Sequence, residues 1–242
     1  MTAFFLSLHF HSNTNSLLHM VSILQKIADN NNKKSYANKL RKDRFHYFKN
    51  NLDKLKTPIS ILDIGGTVNY WEQMGFTGSD TIKIHLLNRY TQKTNHTNII
   101  ALKGDALDLS QFKENNFDIA FSNSVIEHVG NYKNQTQMVS EMRRVAKNLY
   151  LQTPNYYFPI EPHFLFPFFQ FLPHFTKLFL IRRFNLGWYK KESDKQKATT
   201  LANSIDLLSY KEIKKLFPNG LIYRERFMGL TKSFVITEGD WL

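Results

Sequence analysis

Short apolar runs recur along this chain at Ile59 to Ile64, Thr81 to Leu87, Ile99 to Leu102, Phe117 to Ser122 and Asn148 to Gln152, and polar or amphipathic stretches separate them. Such alternation predicts an α/β domain with a mostly parallel sheet. Ahead of the first run, Tyr36, Leu40, Tyr47, Phe48, Leu52 and Leu55 recur at mostly helical spacing, with Lys39, Arg41, Lys42, Arg44 and Lys49 mainly between them. The spacing predicts an amphipathic basic helix over Ser35 to Leu55. A surface helix with a solvated Lys/Arg face is its plainer reading, and a phosphate- or RNA-binding face is the other. The closing stretch "LIYRERFMGLTKSFVITEG" holds two β-rich runs joined through Gly229, which predicts an antiparallel pair.

Between sheet and closing pair lies "TPNYYFPIEPHFLFPFFQFLPHFTKLFLIRRF", where Pro159, Pro162, Pro167 and Pro173 break an aromatic segment into pieces too short to span a membrane. Three readings stay open: short helices packing their aromatics on the sheet, a lid that forms an apolar acceptor pocket, and a surface that rests on a membrane with Lys177, Arg182 and Arg183 at its edge. The polar "GWYKKESDKQKATT" that follows reads as an exposed loop. Residues 156–200 are therefore a Phe-rich cap or insertion in a domain running over 31–242. Residues 1–30 read as a loosely ordered extension, since the apolar patch from Ala3 to Leu8 lacks the basic flank and length of a signal peptide. Met20 is an alternative start.

Composition narrows the chemistry. The formal charge is +12, from 32 Lys and Arg against 20 acids, so the surface attracts anions such as phosphorylated substrates, nucleic acid or an acidic membrane face. With no cysteine, disulfides, thiolate nucleophiles and Cys-type zinc sites are excluded, and a cytoplasmic location, with membrane association as a variant, is the expectation. The nine histidines show no metal spacing, so no metal is expected.

The stretch "PISILDIGGTVNYW" carries the most specific signal: an apolar run ends in Asp63 and passes directly into Gly65 and Gly66. Ligands of open α/β sheets sit beyond the carboxyl ends of the strands, where a Gly-rich turn lets the backbone approach a nucleotide-like cofactor. Asp63 would there orient the loop or meet a cationic group. The third glycine of a dinucleotide fingerprint is missing, which weakens an NAD reading. "ILDIGGT", "TIKIHLLNRY", "LKGDALDL" and "FDIAFSNSVIEHVGN", taken in order over Ile59 to Asn155, resemble the class I S-adenosylmethionine-dependent methyltransferases of the type 11 kind. A weaker echo follows in "GLTKSFVI".

The resemblance implies a Rossmann-like, seven-stranded, mostly parallel sheet with flanking helices, and S-adenosylmethionine as cofactor. By position it implies Asp63, Gly65 and Gly66 around the methionine part and Asn88 at the ribose, where the family has an acid. It also implies Asp105 and Ala106 at the adenine, with Ser122 and Asn123 bordering the cofactor. Ser124 and Glu127 have the spacing of a capping box, so Glu127 reads as a helix cap. His128 is the candidate general base, because an unperturbed imidazole titrates near neutrality, and His163 in the cap is the second residue expected to touch the acceptor. The expected function is methyl transfer to a small-molecule, sugar or lipid-linked acceptor, with peripheral membrane contact as a further expectation. An RNA methyltransferase and a non-catalytic binding or membrane-surface module are the alternatives.

Overall fold

The computed structural model describes residues 22, 25–29, 32 and 34–241. Of the expected extension over 1–30 only residues 22 and 25–29 are described, with 25–28 helical, and Met1 and Met20 both lie outside the described residues. Two compact units divide the chain: Lys42–Phe158 with the stretch from Asn203 onward, and Pro159–Ala202 with the described residues up to Arg41.

The first unit holds the sheet. Helix α1 (Tyr36–Leu52), which belongs to this unit from Lys42 onward, leads to β1 (Ile59–Ile64), α2 (Val68–Gln73), β2 (Ile82–Asn88), β3 (Ile99–Lys103), β4 (Phe117–Asn123), α3 (Tyr132–Val145) and β5 (Ala146–Pro154). The seven strands run in the order β3-β2-β1-β4-β5-β9-β8, where β8 (Leu221–Phe227) and β9 (Leu230–Gly239) close one side. The pairs β1·β2, β2·β3, β1·β4 and β4·β5 are parallel, whereas β9 is antiparallel to both β5 and β8. This is the expected seven-stranded, mostly parallel α/β sheet.

A strand covered on both faces must be apolar almost throughout, and that is the reason "ISILDI" forms the middle of the sheet. Leu62 and Ile64 pack into one core with Met138, Val139, Met142 and Val145 of α3 and with Ile213 and Leu216 of α6 (Tyr210–Leu216). Ile59 and Ile61 face the other core, with Phe45, Phe48 and Leu52 of α1 and the rings of Tyr70 and Trp71. The helices begin where their sequences supply caps. Asn131 accepts from Asn134 N at 3.2 Å ahead of α3, and Ser209 and Glu212 form a reciprocal capping box ahead of α6.

The capping box expected at Ser124 and Glu127 does not form. Residues Ile126–His128 make a single 3-10 turn without a side-chain cap, and Ser124 Oγ donates instead to Gln152 Oε1 at 2.7 Å. Glu127 is fully buried and accepts from Thr153 Oγ1 at 3.1 Å. The tight turn after β4 places this carboxylate beside β5 rather than over a helix end.

In α1, Arg44 turns inward from the expected solvated face, its Nη1 2.5 Å from Glu225 Oε2. Lys232 Nζ lies 3.4 Å from the other oxygen of Glu225. Two cations therefore share one carboxylate that is itself only 2% exposed.

The second unit consists of short pieces, as its prolines require. A two-residue ribbon pairs β6 (Ile160–Glu161) with β7 (Phe166–Pro167), and α4 (His174–Arg183) and α5 (Lys195–Ala202) follow. Glu161 is its polar hub, accepting from His163 N at 2.8 Å and from Phe164 N at 2.6 Å. Among the described residues no helix is long and apolar enough to cross a membrane.

Candidate active site

Between β1 and β4 the chain changes direction across the sheet, and Asp63 and Ile64 there pair with Phe121 and Ser122. A crevice opens at such a switch point beyond the carboxyl ends of the strands. The turn that enters it is built closely around the glycines. Gly65 has φ +77, and a Cβ on Gly66 would stand 1.6 Å from Asp63 Oδ2. No side chain fits at Gly66 while Asp63 keeps its place.

Asp63 lies beneath this turn, 1% exposed. Its Oδ2 accepts from the Trp71 indole N–H at 2.7 Å, and its Oδ1 has no partner among the described residues. Burial raises its pKa to about 7, against which the Trp71 hydrogen bond acts weakly. A buried carboxylate oxygen without a donor is costly, and a cationic group would satisfy it.

The turn is also held from β2. Asn88 Nδ2 donates to Gly66 O at 2.9 Å, and Gln92 Nε2 donates to the same oxygen at 2.7 Å. Gln92 Oε1 in turn accepts from Val68 N at 3.2 Å, at the start of α2. Asn88 thus spends its amide N–H on the glycine turn, a role its place at the end of β2 did not reveal. Nothing local marks a glutamine that reaches back 26 residues.

Beside the turn is a pocket of about 440 Å³, a size suited to a nucleoside-sized ligand. Gly65, Asn88, Asp105, Ala106 and His128 all line it, joined by Arg89. Asp105 Oδ1 accepts from Leu107 N at 3.0 Å, and its Oδ2 stands 3.6 Å from Arg89 Nη2 in an exposed, loose pair. Ser122 and Asn123 end β4, and the Ser122 hydroxyl is buried without a partner among the described residues. His163 belongs to the second unit, where its Nδ1 lies 2.7 Å from Glu161 Oε1.

Residues 62–149, which carry the glycine turn and most of this pocket, match the methyltransferase-domain family of type 11. Over that stretch the chain is similar to a methyltransferase domain. Its fold is that of S-adenosylmethionine-dependent methyltransferases. One solved relative in shape is the CurJ carbon methyltransferase, at TM-score 0.55 and 12% identity over 94% of this chain and 70% of that one. Another is the N-terminal domain of EvdMO1, solved with SAH and D-fucose, at TM-score 0.50 and 15% identity over 81% of each chain. In sequence, 56 residues are 41% identical to an uncharacterized protein found in two strains of Mycobacterium tuberculosis. That match spans 23% of this chain and 19% of the relative's length.

The residues of this site fit S-adenosylmethionine. The Asp63 oxygen that has no partner among the described residues asks for a cation, the Gly65 and Gly66 backbone leaves room for close approach, and Asp105 offers an acceptor on the pocket wall.

Proposed function

We propose that the protein transfers the methyl group of S-adenosylmethionine to a small-molecule, sugar or lipid-linked acceptor. The observation that carries this reading is the buried Oδ1 of Asp63 beneath the glycine turn, which has no partner among the described residues. When bound, S-adenosylmethionine supplies an electrophilic methyl carbon and departs as a neutral thioether.

The work left to the protein is alignment and exclusion of water. Asp63 would hold the cationic amino end of the cofactor, and the turn clamped by Asn88 and Gln92 would orient it. Asp105 would accept from the adenine amino group, with Ala106 beside it on the pocket wall. His128, on the pocket wall, takes the proton that an acceptor hydroxyl or amine must lose. No metal is needed for these steps.

Melting temperature with S-adenosylmethionine, S-adenosylhomocysteine and NAD added separately tests the reading. Ligand at about 100 times its Kd adds about 2.7 kcal/mol of stability, and a rise is expected with the first two alone. No rise with either, in folded protein, would leave a non-catalytic module as the better account. The RNA alternative rests on the charge of +12, and its α1 face has lost Arg44 to Glu225.

A further inference from the structure

Large apolar side chains left in water on a folded protein cluster where something else covers them. In the second unit they cluster along one short segment. Phe168 is 56% exposed, Phe171 44%, Phe175 75% and Phe179 51%. Phe175 and Phe179 stand four apart on α4 and so share a face. The opposite side of the same helix is satisfied internally, since Ile181 is buried. Lys177 also turns inward, with its Nζ 3.1 Å from Gln170 O and 5.8 Å from the centre of the Phe169 ring.

Backbone conformation adds a second observation. Phe168 is held at φ +57 and ψ +18, a left-handed geometry that bulky residues rarely adopt. It displays its ring to solvent in that geometry, so burial of the ring does not account for the strain.

Charge selects the partner. Between Glu161 and Glu192 the sequence has no acidic residue and five Lys or Arg, namely Lys177, Arg182, Arg183, Lys190 and Lys191. Four of the five, all but Lys177, are exposed or half-buried outside the turned-in cluster, and Arg182 lies seven residues beyond Phe175 on the same helical face. Exposed aromatics edged by Lys and Arg on a short helix suit the interface of an anionic bilayer, where rings enter the headgroup boundary and cations meet lipid phosphate.

We propose that Phe168, Phe171, Phe175 and Phe179, with Arg182 and Arg183, form a site that seats the protein on an anionic membrane surface. The site is confined to the second unit and is independent of the methyl-transfer reading. Binding can be read without cofactor or acceptor.

The test is cosedimentation of the full chain with vesicles of phosphatidylcholine alone or mixed with phosphatidylglycerol. Binding is expected to the mixed vesicles, weaker to phosphatidylcholine, and to fall as salt rises. Phe175→Ser with Phe179→Ser should lower partitioning about tenfold while the melting temperature and its response to S-adenosylmethionine stay unchanged. Arg182→Glu with Arg183→Glu should reduce binding to the mixed vesicles alone. The proposal is overturned if the mixed vesicles do not sediment the protein, or if the double Phe variant binds them as well as the parent. Concentration-dependent self-association that the Phe variant abolishes, with no vesicle binding, would assign the face to a second copy instead and equally overturn it.

Discussion

The indole N–H of Trp71 reaches Asp63 Oδ2 at 2.7 Å and leaves the other oxygen of the same buried carboxylate without a donor among the described residues. One hydrogen bond is too little to offset burial, so the pKa rises to about 7. Below that value the folded protein keeps a proton that the unfolded chain releases near pH 4. This contribution to stability is therefore present at low pH, declines between about pH 4 and 7, and is absent above. Asp63→Asn should flatten that decline in urea unfolding measured across the window.

Cofactor uptake should release a proton. A cation placed against Asp63 favours the ionised form, so affinity for S-adenosylmethionine should rise with pH up to about 7. Calorimetry in two buffers of different ionisation enthalpy would detect the released proton, and Asp63→Asn should abolish it and weaken binding.

Gly66→Ala places a methyl group on the Asp63 carboxylate, 1.6 Å from Oδ2 in the present geometry. The turn must then open or Asp63 must leave. Loss of the cofactor-induced rise in melting temperature is expected.

Gln92→Ala removes both a donor to Gly66 O and the acceptor for Val68 N. Because these bonds hold only the turn, cofactor affinity should fall about tenfold with the ligand-free melting temperature little changed. Gln92→Glu, which keeps the acceptor but loses the donor, should be partly defective. Titration calorimetry separates the three proteins.

Glu225→Gln leaves Arg44 and Lys232 facing each other without a carboxylate. Removing the one partner of a buried charge costs about 3–5 kcal/mol. Arg44→Met should be milder, since Lys232 still pairs with Glu225, and urea unfolding of both variants checks the order.

His128→Ala should lower turnover and leave cofactor binding intact, since the ring lines the pocket and Asn88 and Gln92 hold the glycine turn. Turnover with an identified acceptor, set beside the thermal shift, separates the two effects.

Strand β1 was readable from sequence to the residue, and β2 to β5 to within two, because β1, β4 and β5 are buried almost throughout and leave mostly apolar runs. The pocket wall at Asp105, Ala106 and His128 was marked by the segments that resemble the type 11 methyltransferases, "LKGDALDL" and "SNSVIEHV". What stayed hidden depends on contacts between distant residues: Gln92 with Gly66, Arg44 with Glu225, Glu127 with Thr153. The apparent capping box at Ser124 failed for this reason, since Gln152 claims the hydroxyl and β5 claims the acid. A local motif predicts a local bond only when no neighbour in space competes.

Asn155 and Leu208 form an isolated bridge, and Tyr156 N donates to Leu208 O at 3.1 Å. The chain thus leaves the sheet unit and comes back to it within one ladder step, with Pro159–Ala202 strung between. That closed seam is the geometry of a graft. The aromatic insert can be lengthened, shortened or exchanged over evolutionary time while the register of β5 and the cofactor turn stay as they are.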